Sequence, residues 1–234
     1  MPDPYFQFKQ FTVFHDQCAM KVGTDGVLIG AWANCSQSKS ILDIGTGSGL
    51  MALMLAQRSK ALIDALDIDK NACKQAKYNV ENSKFRKRIC VIQSDFNDFN
   101  TECKYDLIVS NPPYFTNSLP APDRQRNIAR HNHALSFEML LKKSATLLAE
   151  KGKIALIIPY EAENQIQSFA VNNGLFLCRK TIVRPKPESN PKRLLLEYAK
   201  SEINPEISEL YIEKERHVYS EDYRKLTEEF YLNP

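Results

Sequence analysis

No apolar run in the 234 residues approaches the roughly 20 that cross a bilayer as a helix. The opening stretch, residues 1–10, has no basic segment followed by an apolar one, so no secretory leader is expected. The six cysteines, at 18, 35, 73, 90, 103 and 178, form no Cys-x-x-Cys pair. Scattered thiols in a chain of this length read as reduced side chains of a cytoplasmic protein, which excludes a disulfide framework and a zinc site. The four histidines, at 15, 131, 133 and 217, have no metal-ligand spacing, and no metal is expected. Internal repeats and low-complexity tracts are missing. A large excess of one charge sign is missing too, because 31 basic residues stand against 28 acidic ones for a net charge of +3; that value alone argues nothing about nucleic acid. What remains is the composition of an ordinary globular domain, long enough to bury a core without staples.

Two nucleotide-binding signatures are also absent. The stretch Asp43-Ile44-Gly45-Thr46-Gly47-Ser48-Gly49 follows the apolar run Ser40-Ile41-Leu42 and precedes a helix predicted from Leu50 to Ser59. Its spacing is Gly-x-Gly-x-Gly, with Leu at position 50. It is therefore neither the Gly-x-Gly-x-x-Gly of pyrophosphate-binding dehydrogenases nor a P-loop ending in Gly-Lys-Ser/Thr. The glycines still let a backbone turn tightly and a ligand approach closely. Asp43 would repel a phosphate at such a loop but would favour a cationic ligand.

Two further predicted strands end in acids. The second, over 61–68, ends in Asp67-Ile68-Asp69, and an acid roughly twenty residues past a glycine loop is the usual partner of a ribose diol. Asp67 is assigned that role, with its two oxygens accepting both hydroxyls, and Asp69 is assigned the cap of a helix over 71–82. The third, over 89–93, precedes Ser94-Asp95-Phe96; there Asp95 could take an adenine amino group and Phe96 its face. A fourth, ending at Ser110, leads into Asn111-Pro112-Pro113-Tyr114. Two prolines fix the backbone, so the Asn111 side-chain oxygen and the Pro112 carbonyl form a rigid acceptor pair suited to a planar –NH₂ group. Tyr114 offers a stacking face. The plainer reading is a strand ending in a stiff turn.

Ahead of the glycine loop, Phe6, Phe8, Phe11, Val13 and Phe14 partly alternate, which predicts an edge strand or hairpin. Between Lys21 and Ala33, Gly23 and Gly26 bracket a turn and Thr24 or Asp25 caps a helix; Lys21, Thr24 and Asp25 are alternatively a loop closing over the ligand. Lys84 to Arg88 reads as a solvated basic turn. Past Tyr114, residues 116–134 lack periodicity and carry Arg124, Arg126 and Arg130. Ser136 caps a helix over 137–149, Gly152 ends a turn before a strand over 154–158, and a helix over 162–172 closes at Gly174. An antiparallel hairpin follows, over 175–183 and 194–199. Its proline-rich connection carries Arg184, Lys186, Lys192 and Arg193 against one acid, Glu188. Together with Arg124, Arg126 and Arg130, these are the candidate phosphate contacts, although solvated charge is the commoner fate of such loops. The tail from Ser220 reads as a docking helix. The segmentation expected is a front segment over 1–35, a core over 36–200 and a docking tail over 201–234.

The glycine loop, Asp67 and Asn111–Tyr114 resemble those of the class I S-adenosylmethionine-dependent methyltransferases. The front segment, from Phe8 to Phe11 through Met20 to Gly26, and the tail at Tyr219-Ser220 and Phe230-Tyr231-Leu232 narrow the resemblance to the bacterial family that methylates N6 of adenine 37 in valine tRNA. The resemblance implies an α/β, Rossmann-like fold: a mostly parallel sheet of seven strands in the order 3-2-1-4-5-7-6, helices on both faces, and the last strand antiparallel. It implies that Asp43, Gly45, Thr46, Gly47, Ser48, Gly49, Asp67, Asp95 and Phe96 hold S-adenosyl-L-methionine. It implies that Asn111, Pro112, Pro113 and Tyr114 hold the target base, and that the partner is tRNA. A monomer is favoured, with no DNA and no membrane among its partners. Methylation of a glutamine amide on a release factor stays open, because that amide has the same planar –NH₂. Guanine-N2 methylation of ribosomal RNA, DNA adenine methylation (against which no separate DNA-reading domain is visible in the sequence) and a non-catalytic RNA-binding module stay open as well.

Overall fold

The computed structural model describes residues 3–18, 21–112 and 135–232. A front hairpin, β1 (Tyr5–Gln7) and β2 (Thr12–Phe14), leads to α1 (Thr24–Trp32). Next come β3 (Ser40–Ile44), α2 (Leu50–Arg58), β4 (Leu62–Asp67), α3 (Lys70–Glu81), β5 (Ile89–Gln93) and β6 (Tyr105–Ser110). The C-terminal half holds α4 (Phe137–Leu147), β7 (Leu148–Pro159), a 3₁₀ turn (Tyr160–Ala162) and α5 (Glu163–Asn172). It continues through β8 (Phe176–Arg184), β9 (Arg193–Ala199), β10 (Glu206–Tyr211), the short pair β11 (Glu213–Glu215) and β12 (Val218–Tyr219), and α6 (Glu221–Thr227).

The main sheet runs β5-β4-β3-β6-β7-β9-β8-β10. All its pairings are parallel except those of β9, which is antiparallel to both β7 and β8. The order implied by the resemblance is therefore present, with an eighth strand added: β10 pairs in parallel with β8, Glu206 opposite Arg179.

Alternation sorts the strands' side chains into two layers. Ile41, Ile63, Ala65, Leu107, Val109, Ala155 and Ile157 face the layer that contains α1, α2 and the tail residues Tyr223 and Phe230. Leu42, Leu66, Ile108, Ile154, Leu156 and Ile158 face the layer that contains α4 and α5. Parallel strands covered on both faces must be apolar on both, which is why these segments read as near-continuous hydrophobic runs.

Two local expectations are corrected. Gly152 does not end a turn: β7 runs through it, pairing Leu148 with Tyr105 and then Lys153 with Leu107. The extra β7 residues bulge out, and a Cβ at Gly152 would stand 2.6 Å from the Tyr105 carbonyl oxygen. Neither Thr24 nor Asp25 caps α1; Gly23 occupies that position, with no side-chain cap bond. The two other assigned caps are present. Asp69 accepts from the Asn71 and Ala72 amides, and Ser136 accepts from the Met139 amide.

Front and tail join on the α1–α2 face. Phe8 stacks on Tyr231 at 6.0 Å, and the Lys9 amide donates to the Phe230 carbonyl at 2.8 Å.

Candidate functional site

The direction of strand addition reverses between β3 and β6, and ligands of open α/β sheets sit outside the strand ends at such a point. The ends of these two strands are tied together, because the Ser110 hydroxyl donates to the Ile44 carbonyl at 2.8 Å. The glycine loop leaves one strand and Asn111 leaves the other. Gly45, Gly47 and Gly49 have φ of 74°, 56° and 82°, the left-handed region that only glycine enters without strain.

The loop is held from below and from the side. Asp43, fully buried, accepts through Oδ2 from the Thr46 hydroxyl at 2.6 Å and from the Ala52 amide at 3.1 Å. Its Oδ1 is buried with no hydrogen-bond partner. Burial above all, and then the nearby Asp67, push the Asp43 carboxyl up to about 7. Asp67 accepts through Oδ2 from the Gly47 amide at 2.8 Å and through Oδ1 from the Asp69 amide at 2.9 Å. Burial also raises its pKa. Asp67 thus shapes the loop as well as facing the cavity, and each oxygen keeps one lone-pair direction for a hydroxyl.

Two cavities flank this loop. The first, about 290 Å³, is lined by Gly45, Gly47, Asp67, Asp95, Phe96, Asn111 and Pro112 among others. The second, about 340 Å³, is lined by Lys21, Thr24, Asp25, Thr46, Ser48 and Asn111 among others. Asn111 lines both. Phe96 gives the first an apolar wall, and Asp95 holds its own turn by accepting from the Asn97 amide at 2.8 Å. Gly49 stands at the start of α2, where a Cβ would meet Ala76 at 3.3 Å. Pro113, Tyr114, Arg124, Arg126 and Arg130 lie outside the described residues.

The candidate phosphate contacts of the 184–193 connection are mostly engaged with acids from distant parts of the chain. Arg193 donates through Nε to Asp25 Oδ2 at 2.8 Å. Arg184 meets Glu209 at 3.3 Å and Lys186 meets Glu213 at 3.8 Å. Lys192 is exposed and forms no ion pair among the described residues. The Asp25 pair fixes this connection to the wall of the second cavity.

Cys18 and Leu135 also line the first cavity and carry no motif. Cys18 arrives there because α3 grips the front segment: the Gln17 amide donates to Gln75 Oε1 at 3.0 Å. Burial first, and then Asp67, push the Cys18 thiol up to about 11, so it is an un-ionised wall group. The sequence signal for the grip was a polar pair, Gln75 and Asn79, among the apolar positions Ala72, Ala76 and Val80 of α3; both are buried.

Comparison with known proteins agrees with this geometry. The family model for the methyltransferase small domain matches residues 22–168. A protein of Parabacteroides distasonis named tRNA1(Val) (adenine(37)-N6)-methyltransferase is 51% identical over 235 residues, covering 99% of each chain. One of the same name from Phocaeicola vulgatus is 52% identical over 233 residues, covering 100% of each. Among solved structures, a predicted O-methyltransferase from Agrobacterium tumefaciens superposes with a TM-score of 0.68 at 18% identity, covering 88% of this chain and 96% of that one. This last likeness concerns the fold alone. The chain belongs to the methyltransferase small-domain family, within the group of the tRNA1(Val) (adenine(37)-N6)-methyltransferases.

Proposed function

We propose that the chain transfers a methyl group from S-adenosyl-L-methionine to N6 of adenine 37 in tRNA1(Val). The observation that carries this reading is Asn111, which lines both cavities: a group at the meeting point of a cofactor site and a base site is where transfer has to occur. Names borne by relatives of near-complete overlap supply the substrate.

The residues fit the cofactor. Asp43 lines neither cavity and serves the cofactor indirectly, by holding the Thr46 hydroxyl and the Ala52 amide at the start of α2. Asp67 retains acceptor capacity for a diol, and Phe96 and Asp95 suit a purine face and its amino group. When bound, the cofactor supplies a methyl group already activated by its sulfonium, so no protein nucleophile is needed. The work of the chain is positioning, which can contribute several kcal/mol. The Asn111 side-chain oxygen and the Pro112 carbonyl accept the two N–H bonds of the adenine amino group and orient its lone pair. As that nitrogen gains charge, the same acceptors stabilise it more than they did the ground state. A proton then leaves the nitrogen for water. Tyr114 supplies the face against which the unstacked base rests.

Incubation with labelled S-adenosylmethionine and total tRNA from a strain lacking the gene tests this, with nuclease digestion and mass spectrometry of the nucleosides. New N6-methyladenosine at position 37 is expected. Label on a release factor and none on tRNA would overturn it in favour of amide methylation.

A further inference from the structure

The outer face of α3 is out of balance in charge. Lys70, Lys74 and Lys77 are exposed and stand at i, i+4 and i+7, which places them on one face. The turn after the helix adds exposed Lys84, Arg86 and Lys87. Glu81 is the sole acid between residues 70 and 87. Stability does not ask for this arrangement. Lys70 is the first residue of the helix, where positive charge opposes the helix dipole. Lys70 with Lys74, and Lys74 with Lys77, are like-charge neighbours that weaken a helix.

Several cations elsewhere are matched: Lys153 and Arg179 meet Glu197, Lys180 meets Glu163 and Arg193 meets Asp25. None of the six side chains on the α3 face forms an ion pair among the described residues.

Exposed aromatic rings adjoin these cations. Tyr78 is 49% exposed and Tyr5 44%. Phe14 braces both: Tyr78 meets it edge-on at 5.3 Å and Tyr5 tilts onto it at 5.6 Å. A braced ring beside unmatched ammonium groups suits an RNA strand, with phosphates on the lysines and a base face on the ring. The stripe also starts at the site, since Asp69 and Ala72 line the first cavity on either side of Lys70. From there the 12-residue helix extends about 18 Å.

We propose that the α3 face, from Lys70 to Lys87 with Tyr78, is a docking surface for the backbone of the substrate RNA outside the target nucleotide. This rests on the RNA-methylating reading above and adds where the rest of the RNA lies. The mixture of cations with a fixed aromatic plane favours RNA over an acidic protein surface.

The test uses the full chain and a transcript of the substrate tRNA. The variants are Lys74→Gln with Lys77→Gln, Tyr78→Ala and Tyr78→Phe; none of these side chains lines either cavity. The double variant should raise KM for tRNA about tenfold near physiological salt and lower the slope of log affinity against log salt by about 2. Its kcat and its affinity for S-adenosylmethionine should stay within twofold. Tyr78→Ala should raise KM several-fold, and Tyr78→Phe should restore it. An unchanged KM and salt slope, with the wild type methylating tRNA normally, would overturn the docking surface alone. Absence of tRNA methylation by the wild type, with cofactor still bound, would overturn the enzymatic reading and the surface with it.

Discussion

Asn79 grips Phe14 by both of its backbone groups. Its Oδ1 accepts from the Phe14 amide at 2.9 Å and its Nδ2 donates to the Phe14 carbonyl at 2.8 Å. The same Nδ2 donates to the Ser48 carbonyl at 2.8 Å. One buried carboxamide on α3 therefore joins the front hairpin to the glycine loop.

Asn79→Ala should loosen both. Unpaired backbone groups near the Phe14 and Ser48 positions cost about 1–3 kcal/mol each, and the segment that carries Cys18 to the first cavity is left with the Gln17–Gln75 bond as its tie to α3. The expected outcome is a weaker cofactor affinity, about tenfold by titration calorimetry, with faster amide exchange over residues 12–18. Unaltered exchange there would show that the hairpin is held by its aromatic contacts alone.

Asp43 should make stability depend on pH. Its folded pKa, about 7, lies above that of the unfolded chain. Between the ordinary carboxylate range and pH 7, the folded state keeps a proton that the unfolded chain has released. Stability from this group is highest at low pH, falls as pH rises through that window, and is flat above it. Asp43→Asn should remove this slope, so that the wild type loses more Tm than the variant between pH 5 and pH 8, about 2–4 °C per kcal/mol for a chain of this size. Parallel Tm curves for the two proteins would remove Asp43 from the account.

Asn111→Ala should separate binding from turnover. If its oxygen acts mainly on the reacting amino group, kcat should fall by about 10²-fold or more, the loss expected when an oriented contact at the reacting centre is removed. Cofactor Kd should change little. A large loss of cofactor binding with kcat preserved would reassign Asn111 to the cofactor.

Glu197 anchors a buried charge network behind the sheet. Only 1% exposed, it meets Lys153 at 2.6 Å and Arg179 at 3.0 Å. Arg179 also lies over the ring of Trp32 at 3.7 Å. Removing a buried partner costs about 3–5 kcal/mol, and the partial exposure of both cations points to the low end. Glu197→Ala should lower stability by about 3 kcal/mol and shift the emission of Trp32, the single tryptophan of the chain. Unfolding followed by fluorescence would read both effects together.

The core strands were legible because both of their faces are covered, leaving runs such as Leu107-Ile108-Val109 without polar interruption. The site loops were legible because they begin where those runs stop. β10 was not, since its first four residues are all exposed and only the backbone ladder to β8 defines it. Asp25 reads as a helix cap until Arg193, distant in sequence, takes its carboxylate. The acids facing Arg184 and Lys186 come from β10 and β11, so local composition overstated how basic that connection is. Gln75 and Asn79 were hidden in the same way, since their partners are backbone groups of other segments.

The contact of Phe8 with Tyr231, and of Lys9 with Phe230, carries a consequence for biosynthesis. A segment translated early has its docking partners near the far end of the chain. Until residues around 230 leave the ribosome and fold back, the hairpin that brings Cys18 to the cavity is only half secured. Competence to bind ligand would thereby wait until Phe230 and Tyr231 have been translated, and a truncation that removes them would weaken a site lined by residues between Cys18 and Leu135 without touching any of those residues.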